Sequence, residues 1–167
     1  MKSQETLFLS LLDDHVGMIN KLSRMYTNSE EDQQDLVQEI IYQVWRSFSQ
    51  FRGESKIGTW IYRVGLNTAL LHVQKQKKRV DTVEIKDQMH VSEKGNTNLE
   101  QEQFDAFYRE VKKLSKMERA VIFLFMEGQS HQEIGENLGI TEANARVRLH
   151  RIKNKLKSNL KGETHGS

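Results

Sequence analysis

The sequence predicts an all-α protein made of two small helical domains joined by a flexible acidic linker, with a helix-turn-helix in the C-terminal domain. Three observations favour this fold class. Apolar residues recur every three or four positions in short runs along the 167 residues, which is the helical period. The chain contains no proline, and serine or threonine caps precede several of the runs. Charged residues make up 29% of the chain, as expected of amphipathic helices.

The first half of the chain predicts three or four helices. An apolar repeat from Thr6 to Tyr26 indicates one core helix, or two if Gly17 interrupts it. Ser29 offers a cap for the next helix, whose apolar positions continue to Phe48. A turn-rich segment follows, and a third helix is predicted to begin at about Thr59.

The second helix carries an unbalanced charge. Between Asn28 and Glu39 the sequence has five carboxylates and no lysine or arginine. Asp35, Gln38 and Glu39 are at helical spacing, so they can form a patch for a basic partner. A merely solvated polar face is the alternative, and the residues alone leave both interpretations open.

The third helix places Trp60, Arg63 and Asn67 at helical spacing. An aromatic ring, a guanidinium and an amide in one line are groups with which proteins hold unstacked single-stranded bases. Considered alone, this line is better explained by a core tryptophan and an exposed asparagine, because tryptophans are usually buried.

A second domain is predicted after a break in the periodicity. Between Asp81 and about Asn98 acidic residues predominate, and we interpret this segment as a flexible acidic linker. Two amphipathic helices follow, the second opened by a capping box of Ser115 and Glu118 and closed by Gly128. The last residues, 162–167, are expected to be disordered.

The stretch from Gln129 to Leu156 predicts the helix-turn-helix. Ser130 begins its first helix with a capping box, and Gly139 ends that helix. Thr141 can cap the second helix. Gly135 supplies the small residue that fits where two helices cross steeply.

The second helix of this motif is basic. Seven lysines and arginines and no acidic residue lie between Ala143 and Gly162. Asn144, Arg146, Arg148 and Arg151 lie away from its apolar positions, which favours contact with DNA phosphates and bases. The alternative is a solvated basic helix that closes a bundle. A helix-turn-helix by itself specifies no single function.

Composition excludes several classes of site. The absence of cysteine excludes disulfides, thiolate metal sites and cysteine nucleophiles. No run approaches the roughly 20 apolar residues of a membrane span, and the N-terminus lacks a signal-peptide core, so we expect a cytoplasmic protein without membrane insertion. The six histidines lack ligand spacing. No Ser/His/Asp set or phosphate-binding glycine loop is discernible, so we expect no enzyme, no metal and no cofactor.

Three motifs in this order resemble the extracytoplasmic-function class of bacterial RNA polymerase sigma factors. They are Asp35-Leu-Val-Gln-Glu-Ile-Ile, then Phe51-Arg-Gly-Glu-Ser with Thr59-Trp-Ile-Tyr-Arg-Val and Asn67-Thr-Ala, and finally the helix-turn-helix. The resemblance implies a protein that binds core polymerase and directs promoter-specific initiation. It also implies a role for each part of the chain. Residues 1–80 would bind polymerase and recognise and melt the downstream promoter element, and residues 81–98 would form the linker. Residues 99–161 would recognise the upstream element, and residues 162–167 would form the tail.

The resemblance assigns roles to the residues of the N-terminal domain. It implies that Asp35, Gln38 and Glu39 dock on the clamp helices of the largest polymerase subunit. It implies that Asn67 touches a flipped base of the melted strand, which reverses the interpretation of Asn67 taken alone. The residues implied to engage the melted downstream element are Phe51, Arg52, Lys56, Trp60, Arg63 and Asn67.

The resemblance also assigns contacts with the upstream duplex. Asn144 and Val147 depart from the residues that the family often has here. Asparagine can recognise adenine bidentately and valine can meet a thymine methyl group, so we expect an unusual upstream sequence. The residues implied to contact this duplex are Thr141, Ala143, Asn144, Arg146, Val147, His150 and Arg151.

Two other functions remain as alternatives at this stage. A stand-alone helix-turn-helix regulator would use the N-terminal half for dimerisation or effector binding and would need a two-fold-symmetric operator. An enzyme such as a serine recombinase can carry a C-terminal helix-turn-helix, but the sequence offers no catalytic set. For a sigma factor, an anti-sigma factor is a further partner that the sequence leaves open.

Overall fold

The computed structural model describes residues 3–53, 55–82 and 99–165, and every regular element in these ranges is an α-helix. Helices α1 to α3 lie in one compact unit and α4 to α7 in a second. The predicted all-α fold is therefore confirmed. The helices are α1 (Gln4–Met25), α2 (Glu30–Phe48), α3 (Ile57–Thr82), α4 (Leu99–Lys112), α5 (Lys116–Met126), α6 (His131–Leu138) and α7 (Glu142–His165).

In the N-terminal unit, α2 packs against both α1 and α3. Leu22 of α1, Leu36 and Ile40 of α2 and Ile61 of α3 are almost completely buried in the shared core. α1 is a single helix that passes through Gly17, where an added Cβ atom would meet nothing within 4 Å. A glycine inside a helix costs only about 1 kcal/mol relative to alanine, which the burial of the neighbouring apolar residues offsets.

The ends of α2 and α3 follow local sequence signals with one difference. Ser29 caps α2, because its Oγ accepts a hydrogen bond from the Asp32 N–H at 3.1 Å. α3 begins at Ile57, slightly before the predicted start, and runs to Thr82. Residues 81 and 82 are therefore helical, although the sequence predicts them in the linker, because no proline or glycine ends the helix before them. The rest of the predicted linker, 83–98, lies outside the described residues.

A polar cluster joins the first turn of α2 to α3. The Oδ1 atom of Asp32 lies 2.8 Å from His72 Nε2 and accepts a hydrogen bond from Gln76 Nε2 at 3.2 Å. All three side chains are partly buried. The cluster fixes the N-terminal end of the acidic helix on the helix that carries Asn67.

In the C-terminal unit, α5 packs on α6 and α7, and α4 packs on α7. Val121, Ile122, Phe123 and Leu124 of α5 are buried together. The Arg119 guanidinium donates hydrogen bonds to the carbonyl groups of residues 112 and 114, which satisfies orphan acceptors at the C-terminal end of α4.

Both predicted capping boxes of this unit are present. Ser115 Oγ accepts from the Glu118 N–H at 3.2 Å, and Glu118 Oε1 accepts from the Ser115 N–H at 3.1 Å. Ser130 and Glu133 make the same pair of contacts at the start of α6. Gly128, which follows α5, has a φ of 85°, so the predicted glycine end of this helix is also confirmed.

The Glu118 carboxylate is held in its charged form. Burial raises the pKa of Glu118, but its hydrogen bonds with Ser115 and the positive charges of Lys155 and Arg148 outweigh burial, and the net pKa lies below the ordinary glutamate value. A carboxyl group with a lowered folded-state pKa stabilises the fold above its unfolded pKa. This stabilisation is lost as the pH falls through the lowered value.

We expect Glu118→Gln to melt at a lower temperature than the unmodified chain at pH 7, because the variant keeps a capping amide but loses the charge. The difference should shrink as the pH falls from the unfolded-state glutamate pKa of about 4.3 through the lowered folded-state value, where the native carboxylate becomes protonated. Circular dichroism melting at several pH values measures it. A difference that grows on acidification would contradict this assignment.

The C-terminal end of the chain differs from the prediction. The sequence predicts disorder from residue 162, but α7 continues through Gly162 to His165. A single glycine costs about 1 kcal/mol in a helix, and the preceding turns of α7 are anchored by Ile152 and Leu156 in the core.

Among the described residues, no helix combines the length and apolar character that crossing a membrane requires.

Candidate nucleic-acid interface

The turn between α6 and α7 is tight because Gly135 lets the two helices approach. A Cβ atom added to Gly135 would lie 2.6 Å from the carbonyl oxygen of Ile140. The N–H of Ile140 donates to the Gly135 carbonyl at 3.0 Å. Gly139 has φ 71° and ψ 30°, the left-handed conformation that glycine adopts without strain. The predicted glycine at the helix crossing and the predicted end of α6 are confirmed.

The rotation of α7 is fixed by its buried side. Ala145, Leu149, Ile152 and Leu156 are buried against the rest of the unit, as their spacing predicts. Thr141 caps the helix, since its Oγ1 accepts from the Asn144 N–H at 3.0 Å. The residues that the resemblance assigns to the upstream duplex are all exposed, namely Thr141, Ala143, Asn144, Arg146, Val147, His150 and Arg151.

Several polar side chains on this exposed side are paired one turn apart. Arg146 lies 3.2 Å from Glu142, and both are exposed. The Nε–H of Arg148 donates to Asn144 Oδ1 at 2.7 Å. Spacing of four residues makes both contacts possible, but the sequence does not show which side-chain conformations form them. The pairing of Asn144 was missed by sequence reasoning.

Further positive charge lies along the same helix. Lys153 places its Nζ atom 4.0 Å from the centroid of the exposed Phe125 ring, so α7 and α5 share a cation–π contact. Among the exposed residues of α7 are also Lys155, Lys157 and Lys161. The unit therefore presents a basic helix whose apolar side is occupied, as duplex binding requires.

In the N-terminal unit, α3 turns Arg63 and Asn67 outward. Ile61, Leu66 and Ala69 are buried on one side of α3, whereas Arg63 and Asn67 are exposed. Arg63 and Asn67 are one turn apart, so a single extended ligand can contact both. The sequence predicts this exposed pair, and the buried residues explain it.

Trp60 is half-buried and packs under the loop that precedes α3. Its ring centroid lies 5.2 Å from that of Phe51, with the two planes tilted by 45°. Arg52 and Lys56 of the same loop are exposed. The tryptophan therefore supports the loop with one part of its ring and leaves another part accessible. The structure brings Phe51 and Trp60 together, and it leaves Arg52 and Lys56 available to an anion.

The acidic face of α2 consists of Asp35, Gln38 and Glu39, which are all exposed while Leu36 and Ile40 are buried. Glu39 accepts a hydrogen bond from Gln43 Nε2 at 3.1 Å. Asp35 and Glu39 are like charges four residues apart, an arrangement that costs about 0.2–0.5 kcal/mol in a helix. A basic partner would relieve this repulsion.

Two family models match the chain, one in each unit. Sigma-70 region 2 matches residues 11–79, and Sigma-70, region 4 matches residues 104–156. The chain belongs to the sigma-70 family. The names of the similar proteins described below place it in the extracytoplasmic-function class of these sigma factors. A stand-alone regulator, the alternative from the sequence, would not match region 2 across the N-terminal unit.

Similar proteins span most of this sigma factor. The ECF RNA polymerase sigma-E factor of Escherichia coli is 27% identical over 134 residues, which cover 73% of this chain and 70% of that protein. RNA polymerase sigma factor SigV of Bacillus subtilis is 27% identical over 158 residues, which cover 90% of this chain and 91% of that protein.

Two solved structures share the fold of this chain. RpoE of Bartonella quintana, in complex with the anti-sigma factor NepR, superposes with a TM-score of 0.72 and 21% identity, covering 92% of this chain and 96% of that one. CnrH, in complex with the cytosolic domain of CnrY, superposes with a TM-score of 0.63 and 21% identity, covering 96% of this chain and 90% of that one.

Proposed function

We propose that this sigma factor binds core RNA polymerase through its N-terminal unit and uses its two units to recognise two separate promoter elements. Residues 1–80 would bind polymerase and the downstream element, and residues 99–161 would bind the upstream element. The supporting observation is that region 2 and region 4 match residues 11–79 and 104–156, each within one compact unit. The activity is one of binding, without a covalent step.

Polymerase binding would use the acidic face. Its exposed carboxylates have no lysine or arginine near them in sequence, and they lie on a helix held rigidly by the Asp32 cluster. Basic side chains of the polymerase clamp helices are the complementary partner. Charge complementarity of this kind guides association and fixes the register of the two surfaces.

Recognition of the downstream element would depend on a base taken out of the duplex. Unstacking costs a few kcal/mol per base, so the isolated protein cannot hold the open state by itself. Asn67 would bind the edge of the flipped base, Arg63 and Lys56 the nearby phosphates, and the Phe51–Trp60 pair would support the loop. We therefore expect weak promoter binding by the isolated chain and strong binding in the presence of polymerase.

Recognition of the upstream element would place the first turns of α7 in the major groove. Basic residues along the helix would fix it on the phosphates, and the exposed Val147 would meet an apolar edge such as a thymine methyl group.

We also propose a cytoplasmic location, where polymerase and promoter DNA are found. The complex of RpoE with the anti-sigma factor NepR suggests an anti-sigma factor as a further partner of this chain.

Replacement of Asn67 by alanine tests the downstream assignment. We expect promoter-specific run-off transcription with core polymerase to fall about tenfold or more, since a lost base contact is worth about 1–3 kcal/mol. We also expect the variant to lose discrimination between bases at one downstream position of the non-template strand.

The matched control is Asn20→Ala. Asn20 is an exposed asparagine of α1 whose backbone carbonyl, and not its amide, accepts the hydrogen bond from Gln33. This control should transcribe like the unmodified chain. If Asn67→Ala retains both the rate and the base preference, the assignment of Asn67 is wrong even though the family membership holds.

A further inference from the structure

Asn144 and Arg148 form a fixed pair on the exposed side of α7. The Arg148 Nε–H donates to Asn144 Oδ1 across 2.7 Å, which is short for such a bond. Asn144 is exposed and Arg148 is half-buried. Because the guanidinium is always charged, this is a charge-assisted hydrogen bond and is stronger than one between neutral groups.

The pair determines which groups Asn144 offers to DNA. An asparagine that recognises adenine accepts a hydrogen bond from the N6 amino group through Oδ1 and donates one to N7 through Nδ2. In α7 the Oδ1 atom faces a guanidinium instead. An adenine amino group brought to this oxygen would place its positive edge against the charge of Arg148. The amide therefore presents its Nδ2–H donors, beside the N–H donors of Arg148.

The positive charge of Arg148 also acts on a carboxylate of α5. Its charge contributes to the lowered pKa of Glu118, whose carboxylate is fixed by the capping box with Ser115. By contrast, Arg146 pairs with Glu142, and both of these side chains are more than half exposed. The Asn144–Arg148 hydrogen bond is thus formed before DNA binds, which lowers the entropy cost of a contact.

Guanine is the base that matches such a surface. Its major-groove edge carries two acceptors, N7 and O6, and no donor, whereas adenine and cytosine each carry an amino donor and thymine only one acceptor. We propose that the Asn144–Arg148 pair recognises a guanine in the upstream element, in place of the adenine expected for asparagine alone. This inference rests on the proposed function, since it places α7 in the major groove.

A promoter selection tests the proposal. A pool of promoters randomised across the upstream element is transcribed by core polymerase with the full-length chain, and the transcribed sequences are counted. Asn144→Ala identifies the relevant base pair, because discrimination there should fall by roughly 5- to 150-fold, the equivalent of about 1–3 kcal/mol. At that pair the unmodified chain should select guanine on one strand.

Removing the guanidinium should change the selected base. Arg148→Met and Arg148→Ala both release Asn144 Oδ1, so the preference at this pair should shift from guanine toward adenine. The methionine variant keeps an apolar stem in the half-buried position, and circular dichroism melting checks that each variant is folded. Lys157→Ala removes one charge from the same helix, and it should lower transcription of all promoters alike without changing the preferred base.

Three results would overturn the inference. These are a base other than guanine at this pair with the unmodified chain, an unchanged guanine preference in both Arg148 variants, and no position affected by Asn144→Ala. If the chain supports no transcription above that of polymerase alone, the proposed function fails and the inference fails with it. Promoter-specific transcription with the wrong base preference removes the inference only.

Discussion

Replacing Gly135 with valine is expected to destabilise the C-terminal unit by about 3 kcal/mol. A Cβ atom at this position would lie 2.6 Å from the Ile140 carbonyl oxygen and 3.3 Å from the Glu142 nitrogen. Both are backbone atoms of the turn, so they cannot move aside as a flexible side chain can. The midpoint of thermal unfolding should fall by roughly 12–24 °C for a unit of this size.

The two tryptophans separate this effect from a general loss of stability. Trp45 and Trp60 both lie in the N-terminal unit, so their fluorescence reports only on that unit. Gly135→Val should lower the far-ultraviolet circular dichroism transition and leave the fluorescence transition in place. Gly17→Val is the matched control, because a Cβ atom at Gly17 meets nothing within 4 Å. Equal stability losses in the two variants would show that the close helix crossing is not the cause.

Reversing the charges of Asp35 and Glu39 to arginine is expected to weaken binding to core polymerase about 100-fold or more. Truncating one member of a desolvated charge pair costs about 2–5 kcal/mol, and reversal adds repulsion to that loss. The fold should be kept, because both side chains are exposed and the new pair repeats the like-charge spacing of the old one. Binding to labelled core enzyme at moderate salt measures the effect.

A control with the same change in net charge is available in the same unit. Asp13 and Asp14 are exposed carboxylates of α1, and arginine at both positions adds as much positive charge as the test variant. This control should bind polymerase within a few-fold of the unmodified chain. If the two double variants lose affinity equally, the effect comes from overall charge and the acidic face is not the docking surface.

Local sequence signals determined much of this protein. The capping boxes at Ser115 and Ser130 need only a serine and a glutamate three residues apart, and the structure contains both. The apolar seam of α7 fixed its orientation, because a helix period places Ala145 and Leu149 on one side whatever they pack against. Glycine at position 135 predicted the tight crossing, since few other residues fit there.

Tertiary packing decided the features that depend on more than one element. Whether Gly17 interrupts α1 was open in the sequence, and the core contacts on either side made it one helix. The Phe51–Trp60 contact and the Asp32–His72 cluster join residues whose meeting depends on how the chain folds back. Even within α7, the pairing of Asn144 with Arg148 depended on side-chain conformation, which spacing permits but does not select.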